Sequence, residues 1–248
     1  MARFDGFLIQ RSYTMIFKQL FEPDTCTYTY LLGCDRTRRT VLIDPVANEV
    51  ENYIGRLKQL DLNLLYTMET HVHADHITGS GLLREHLGSK SVVHRDAGAM
   101  CADLLVTDGI LLQVGDLEIE VRHTPGHTNG CVSYVVGDRV FTGDALFIGG
   151  CGRTDFQQGD AGRLYDSITK KLFTLPPDTL VYPGHDYNGN TVSSIKQEMA
   201  KNPRLGAGKS REEFIAIMNE LDLPYPKYID QALPANQACG REPAVRHG

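Results

Sequence analysis

The sequence has no apolar stretch that approaches the eighteen or so residues needed to cross a bilayer. Its N-terminal stretch, MARFDGFLIQRSYTMIFKQLFEP, lacks the continuous apolar core of a signal peptide, and Asp5 argues against a transit peptide. Positive charge is also in deficit, with 25 Lys and Arg against 31 Asp and Glu and a formal net charge of -6. These absences predict no membrane partner and no nucleic-acid partner.

Paired cysteine motifs are absent as well. The six cysteines are dispersed, with no CxxC pair and no spacing typical of a structural zinc site: Cys26, Cys34, Cys101, Cys131, Cys151 and Cys239. Such usage is typical of a protein in a reducing compartment. We therefore expect a cytoplasmic protein, with the mitochondrial matrix as the alternative.

The 248 residues are 42% hydrophobic, which is enough for a substantial core. Strand-like runs alternate with amphipathic segments. TYTYLLG and RRTVLID predict a hairpin, and the spacing from Asn48 to Leu60 predicts a helix with Asn48 as its N-cap. The β, α, β order then recurs in the second half. Two sheets, each covered by helices on its outer face, predict an α/β fold, a four-layered αββα sandwich.

We interpret residues 1–248 as a single domain with a C-terminal helical and Pro-rich extension from about residue 204. Within this extension the pattern predicts one amphipathic helix from about Arg211 to Leu221. Gly88 is predicted to close an earlier short helix in GSGLLREHLG.

Residues that can bind metals follow the apolar strands. LLYTMETHVHADH, EIEVRHTPGH, VFTGD and LVYPGH each pass from a strand directly into His or Asp. Because strand ends at one edge of a sandwich lie near each other, these side chains are expected to converge: His71, His73, Asp75, His76, His127, Asp144 and His185. Histidine and carboxylate together suit zinc, manganese or iron, and without a cysteine ligand the pattern favours an open, catalytic site.

The other histidines have simpler interpretations. We expect His86, His94 and His247 to be solvated or to cap local structure, and His123 to pack within a strand.

The sequence resembles the metallo-β-lactamase superfamily, whose HxHxDH signature is here His71 to His76. The resemblance covers nearly the whole chain. The resemblance implies that fold, and in most members two metals that generate a hydroxide for hydrolysis. One metal would be held by His71, His73 and His127, the other by Asp75, His76 and His185, with Asp144 bridging. A dinuclear zinc hydroxyacylglutathione hydrolase similar to glyoxalase II is the corresponding alternative function.

A later stretch favours a different chemistry. GCGRTDFQQG directly after FTGDAL, together with YPGHDY, NPR and PANQACG, resembles the persulfide dioxygenase family, also called sulfur dioxygenases or ethylmalonic encephalopathy proteins. The resemblance implies an oxidoreductase that oxidises glutathione persulfide with O2 and water to sulfite and glutathione, in sulfide catabolism. It implies one Fe(II) per chain, bound by His71, His127 and Asp144 in a two-histidine, one-carboxylate arrangement.

In that interpretation the remaining cluster residues, His73, Asp75, His76 and His185, orient the ligands through hydrogen bonds. Cys151 shapes the pocket or meets the substrate sulfur. Tyr187 and Arg204 are the substrate-binding residues that the resemblance implies. A homodimer is left open, and any rhodanese-type sulfurtransferase partner would be a separate chain. A third hypothesis, a non-catalytic metal- or glutathione-binding module, is disfavoured because no ligand is missing.

Overall fold

The computed structural model describes residues 14–241. Within this range two six-stranded sheets face each other. The first sheet contains, in spatial order, β1 (Met15–Glu22), β2 (Thr27–Cys34), β3 (Arg39–Ile43), β4 (Asn63–Met68), β5 (Lys90–His94) and β6 (Leu104–Val106). The second contains β7 (Leu111–Val114), β8 (Leu117–His123), β9 (Val132–Val136), β10 (Arg139–Gly143), β11 (Leu180–Pro183) and β12 (Ser193–Ser194), also in spatial order. Strands β3 to β6 run parallel, as do β10 and β11, and the other pairs are antiparallel.

Helices cover the outer faces of the two sheets. They are α1 (Val50–Gln59), α2 (Ser80–Leu87), α3 (Ala161–Ser167), α4 (Ile195–Lys201), α5 (Arg211–Asn219) and α6 (Ile229–Gln237). Single turns of 3-10 helix occupy Ala47–Glu49 and Arg95–Ala97, and a π-helical turn at Ile168–Leu172 continues α3. None of the helices within residues 14–241 is both long enough and apolar enough to cross a bilayer.

Three of the buried apolar clusters within residues 14–241 form the layers of the sandwich. The central one lies between the sheets and includes Tyr30, Tyr134 and Phe141, each almost fully buried. Helices α1 and α2 pack on the first sheet through Tyr53 and Leu83. The α3 and α5 side of the second sheet is closed by residues such as Phe214. The predicted αββα sandwich is therefore confirmed.

Several local predictions are confirmed as well. β2 and β3 form the predicted antiparallel hairpin, and α2 ends at Gly88, which adopts a left-handed conformation. Helix α5 begins at Arg211 behind a capping box formed by Ser210 and Glu213. The predicted N-cap Asn48 is wrong, because that residue lies in the 3-10 turn before α1 and Glu49 is the N-cap.

The tail differs more from its prediction. The segment interpreted as Pro-rich contains helix α6, with Pro234 inside it. Cys101 and Cys239 form a disulfide across a separation of 138 residues, so the cysteines no longer favour a reducing compartment. The spacing gave no sign of this pair because the fold alone brings the two residues together. His247 lies outside the described residues.

Candidate metal centre

The strand ends do converge at one edge of the sandwich. After β4 the chain enters THVHADH, and the Thr70 carbonyl accepts a hydrogen bond of 2.8 Å from Val132 N in β9 of the other sheet. Gly184 N donates to Gly143 O at 2.9 Å, so the residues that follow β10 and β11 begin side by side. These bonds between main-chain atoms place the ligand-bearing loops of both sheets around one point.

Three of the predicted side chains meet there. One donor atom each from His71, His127 and Asp144 lies within 4.8 Å of the others. His127 Nε2 is 3.5 Å from Asp144 Oδ2, and all three side chains are largely buried. Two imidazoles and one carboxylate in this arrangement can bind a divalent transition metal and leave positions for other ligands.

The hydrogen-bond network sets the tautomer of His71. Thr70 Oγ1 donates to Asp44 Oδ2 at 2.8 Å, so the same oxygen accepts from His71 Nδ1, 3.0 Å away. The lone pair of His71 is therefore on Nε2. Burial, reinforced by the neighbouring His73 and His127, holds the pKa of His71 well below its usual value, which keeps the ring neutral. A neutral imidazole oriented through its other nitrogen is what a metal ligand requires.

His127 is oriented in the same way by the glycine-rich loop after β10. Its Nδ1 donates to the Arg153 carbonyl at 2.6 Å, which leaves Nε2 free for a metal. Gly152 N donates to the carbonyl of Asp144 at 2.8 Å. A Cβ at Gly152 would lie 2.5 Å from Asp144 O and 2.9 Å from His127 Nδ1. The loop GCGR thus needs glycine at this position, because main chain and two ligand residues approach too closely for a side chain.

One oxygen of the Asp144 carboxylate indicates that an ion binds at this position. Its Oδ1 atom is buried and has no hydrogen-bond partner within residues 14–241. Buried carboxylate oxygens are rarely left unpaired unless an ion or water completes them. The donor set and the unpaired oxygen together fit a metal ion held by His71, His127 and Asp144.

The remaining cluster residues lie directly behind this set. Donor atoms of His73, Asp75 and His76 also fall within 4.8 Å of one another. Asp75 Oδ2 is 2.8 Å from His76 Nδ1 and 3.5 Å from His185 Nε2, and His185 Nε2 is 3.6 Å from Asp144 Oδ1. The structure therefore brings together all seven residues that the sequence predicted, and their geometry alone is compatible with one or two metals.

The known proteins that this chain is similar to narrow its classification. A family model described as Metallo-beta-lactamase superfamily matches residues 26–185. The chain is 53% identical over 229 residues to a Bos taurus protein called persulfide dioxygenase ETHE1, mitochondrial; the alignment covers 91% of this chain and 89% of the relative. The chain belongs to the persulfide dioxygenase family of the metallo-β-lactamase superfamily. The family prediction made from GCGRTDFQQG and its companion motifs is confirmed.

Two further comparisons agree with that assignment. The crystal structure of ETHE1 from Myxococcus xanthus has 57% sequence identity and a TM-score of 0.90, and the match covers 92% of this chain and 100% of the other. A probable hydroxyacylglutathione hydrolase, glo2, from Schizosaccharomyces pombe is 36% identical over 168 residues, which is 64% of each chain. The glyoxalase-type alternative therefore corresponds to a more distant relationship.

This persulfide dioxygenase family member has a cavity of about 660 Å³ beside the metal centre, with Asp144 and His127 in its wall. Tyr187 lines it with an exposed side chain whose ring stacks over His185 at 6.0 Å. Arg204 also lines it and donates through Nη1 to the Cys151 carbonyl at 2.7 Å. Lys227 lies in the same wall, and no sequence signal distinguished it from an ordinary surface lysine.

Cys151 is a packing residue with one face on this cavity. Its side chain is buried in the apolar layer next to Met218, with Sγ 3.7 Å from the methionine sulfur. Burial raises the pKa of the Cys151 thiol to about 11, although Arg204 opposes the shift. The thiol is therefore protonated at neutral pH and is a poor nucleophile. Among the two roles expected for this residue, the environment favours shaping the pocket.

Asn236 supports the HxHxDH loop, a role that sequence reasoning missed. Its Nδ2 donates to the carbonyls of His73 and His76, both at 2.8 Å, and its Oδ1 accepts from Thr78 N at 2.8 Å. The side chain is only 4% exposed. PANQACG is one of the motifs that resemble the family, but its sequence does not predict that Asn236 contacts the metal-binding loop.

Proposed function

We propose that this chain is an Fe(II)-dependent dioxygenase that oxidises glutathione persulfide. The reaction consumes one persulfide, one O2 and one water, and gives one glutathione, one sulfite and two protons. The observation that carries the proposal is the triad His71, His127 and Asp144. Each imidazole is bonded through Nδ1 and so has its lone pair on Nε2, and within residues 14–241 the buried Asp144 Oδ1 atom has no hydrogen-bond partner. The identity to a protein named persulfide dioxygenase supports the reaction class.

In this proposal His71, His127 and Asp144 hold one Fe(II) per chain, and the bound iron supplies a redox centre at which the persulfide sulfur and O2 meet. Thr70 and the Arg153 carbonyl keep the two imidazoles in the required tautomer. His73, Asp75, His76 and His185 act through contacts with these groups and do not bind the iron.

The substrate is bound in the cavity next to the triad. Glutathione carries two carboxylates, and the cavity wall offers Arg204 and Lys227 as cations and the Tyr187 hydroxyl as a hydrogen-bond donor. Arg153 also lines the wall, but it is held by Asp155 through two hydrogen bonds of 2.6 Å. Arg204 and Lys227 are therefore better placed to neutralise the substrate.

A dinuclear zinc thioesterase is the second candidate, because His73, Asp75 and His76 also offer three donor atoms within 4.8 Å of one another. Such an enzyme would hydrolyse a glutathione thioester through a metal-generated hydroxide. It would consume no oxygen.

Metal content and oxygen uptake separate the two candidates. We expect anaerobically purified protein to contain one iron per chain and to consume one O2 per glutathione persulfide, with sulfite as product. Asp144→Ala should lose both iron and activity, whereas the exposed control Asp178→Ala should retain both. Two zinc ions per chain with no oxygen uptake would contradict the proposal, and full iron occupancy in Asp144→Ala would show that the carboxylate ligand is misassigned.

Compartment and partners remain predictions. The Bos taurus relative is described as mitochondrial, which supports the mitochondrial matrix, the alternative to the predicted cytoplasmic placement. A separate rhodanese-type sulfurtransferase would be expected to exchange persulfide sulfur with the same glutathione pool.

A further inference from the structure

The disulfide between Cys101 and Cys239 anchors the end of α6, the helix that supports the metal-binding loop. Cys101 lies between β5 and β6, and Cys239 directly follows α6. The Cys239 N–H donates to the carbonyl of Asn236 at 3.0 Å, and its own carbonyl accepts from Gly81 N at 2.9 Å. Asn236 in turn holds two carbonyls of the HxHxDH segment. The disulfide therefore fixes the turn from which Asn236 reaches this loop.

The two sulfurs of this disulfide differ in exposure. Cys101 is half-buried, and the side chain before it, Met100, is 83% exposed. Cys239 is only 3% exposed. Since thiol–disulfide exchange requires a thiolate to reach one of the two sulfurs, a dissolved thiol has access to Cys101 and not to Cys239.

The surroundings of Cys239 suit a leaving group. Arg84 Nη2 lies 4.0 Å from Cys239 Sγ, and Ser91 Oγ lies 3.8 Å from the same sulfur. Asp103 Oδ2, 2.7 Å from Arg84 Nη2, keeps the guanidinium in this position. A nearby cation and a hydroxyl donor stabilise a thiolate, and a stabilised thiolate leaves a disulfide faster. Exposure and charge thus favour the same direction of exchange, with attack at Cys101 and departure of Cys239.

We propose that the Cys101–Cys239 disulfide is a modification site for a low-molecular-weight thiol, glutathione. A glutathione thiolate attacks Cys101 Sγ and forms a new S–S bond to it, while the bond to Cys239 breaks and Cys239 leaves as a thiolate that takes a proton from solvent. A second glutathione thiolate attacks the glutathione sulfur of this mixed disulfide and releases glutathione disulfide, and Cys101 becomes a thiol. Two glutathione molecules are oxidised to one disulfide, and the protein disulfide is reduced to two thiols.

The choice of glutathione rests on the proposed function, because an enzyme that oxidises glutathione persulfide releases glutathione and works in its presence. Disulfides in reducing compartments are usually transient, with a catalytic or redox-sensing role. This pair lies outside the metal centre, so sensing is the role that fits. Reduction releases the end of α6 and loosens the hold of Asn236 on the metal-binding loop. Glutathione should therefore weaken the binding of iron.

The test compares metal-free wild type before and after anaerobic incubation with glutathione, followed by desalting. Samples quenched with iodoacetamide during the reaction should contain glutathione on Cys101 and the alkyl group on Cys239 in peptide mapping. After complete reaction we expect two additional thiols per chain. The unfolding temperature should fall by roughly 5 to 15 °C, because the lost bond closes a loop of 138 residues. Iron titration of the folded protein should show several-fold weaker binding.

Two variants complete the test. Cys101→Ser should have the lower unfolding temperature and the weaker iron binding from the start, and glutathione should change neither. Cys26→Ser removes the other cysteine that is partly exposed, and it should respond to glutathione as wild type does.

Resistance of the disulfide to glutathione in the folded protein would overturn the proposal, as would free thiols at both positions in protein purified in air. Glutathione attached to Cys239 instead of Cys101 would show that the direction of attack is wrong. Unchanged iron affinity after full reduction would contradict the sensing role. None of these results depends on persulfide oxidation, which the oxygen-uptake assay measures separately.

Discussion

Asn236→Leu tests whether the C-terminal helix holds the metal-binding loop in place. Leucine has the same branched shape and number of heavy atoms but cannot hydrogen bond, so the variant removes three buried bonds at once. The carbonyls of His73 and His76 lose a donor, and Thr78 N loses an acceptor. All three belong to the segment that carries the HxHxDH signature.

The expected magnitude follows from that count. Because leucine leaves three buried main-chain groups without this partner, each at a cost of about 1 kcal/mol or more, the free energy of unfolding should fall by at least about 3 kcal/mol. For a chain of this size each kcal/mol corresponds to about 2 to 4 °C, so the unfolding temperature should drop by at least about 6 °C. Iron affinity should also weaken, by no more than roughly 10-fold, because Asn236 bonds to His73 and His76, which support the ligands and do not bind the iron themselves.

Calorimetry on metal-free protein measures the first effect, and iron titration followed by oxygen uptake measures the second. Gln231→Leu provides the control, because Gln231 is exposed on the same helix. A purely structural role would lower the unfolding temperature without changing iron affinity in the folded protein. A change of less than about 2 °C in unfolding temperature corresponds to less than about 1 kcal/mol. If Asn236→Leu unfolds within that range of wild type and binds iron normally, the three hydrogen bonds of Asn236 do not stabilise the metal-binding loop and the reasoning is refuted.

Three further predictions concern the site and its cavity. Gly152→Ala should lower iron occupancy and kcat, because the new Cβ would lie 2.5 Å from Asp144 O. The control is Gly55→Ala in helix α1, where a Cβ meets nothing within 4 Å. That variant should stabilise the protein by about 0.5 to 1 kcal/mol in thermal unfolding. Tyr187→Phe and Arg204→Ala should raise KM for glutathione persulfide several-fold while iron content stays at the wild-type level; normal KM in both would place the glutathione site elsewhere. Cys151 should resist iodoacetamide in the native protein at pH 8, since burial raises its pKa to about 11. Because an unfolded thiol ionises near pH 8.5, Cys151 stabilises the fold below that pH and loses its contribution as pH rises toward 11. Urea unfolding of wild type and Cys151→Ala across that range should therefore converge, and parallel curves would show that the thiol titrates normally.

The parts of the site that could be predicted from the sequence share one property: each follows a strand directly. The apolar runs before His71, Asp144 and His185 mark strand ends, and a sandwich collects its strand ends at common edges. The prediction therefore needed only local patterns and the layer architecture. The same rule applies to His94 and His123, which end β5 and β8 and whose ring centroids lie 3.9 Å apart.

The supporting residues could not be predicted in this way, because their roles depend on contacts between distant segments. Asp44 precedes Thr70 by 26 residues and Asn236 follows His76 by 160, and neither separation follows from a local pattern. Helix α6 was missed for a different reason. Pro234 lies inside it, and an interior proline costs about 3 kcal/mol of helix stability. Burial of Ile229, Ala232 and Asn236 against the body of the protein offsets that cost.

Asp44 connects the two histidines that begin the signature and gives them different environments. Through Thr70 it leaves His71 neutral, with a lone pair on Nε2. Its other oxygen lies 3.2 Å from His73 Nε2, and Glu69 Oε2 lies 3.3 Å from the same atom.

Burial alone would keep His73 neutral, but the two carboxylates, Asp44 above all, hold its pKa well above the usual value. A ring protonated on both nitrogens has no lone pair for a metal. Glu69 accepts from Thr78 Oγ1 and Ser80 Oγ, both at 2.5 Å, so it is fixed in this position. The pair of buried carboxylates therefore favours His73 as a charged support for the loop, and a second metal at His73, Asp75 and His76 would first have to displace that proton.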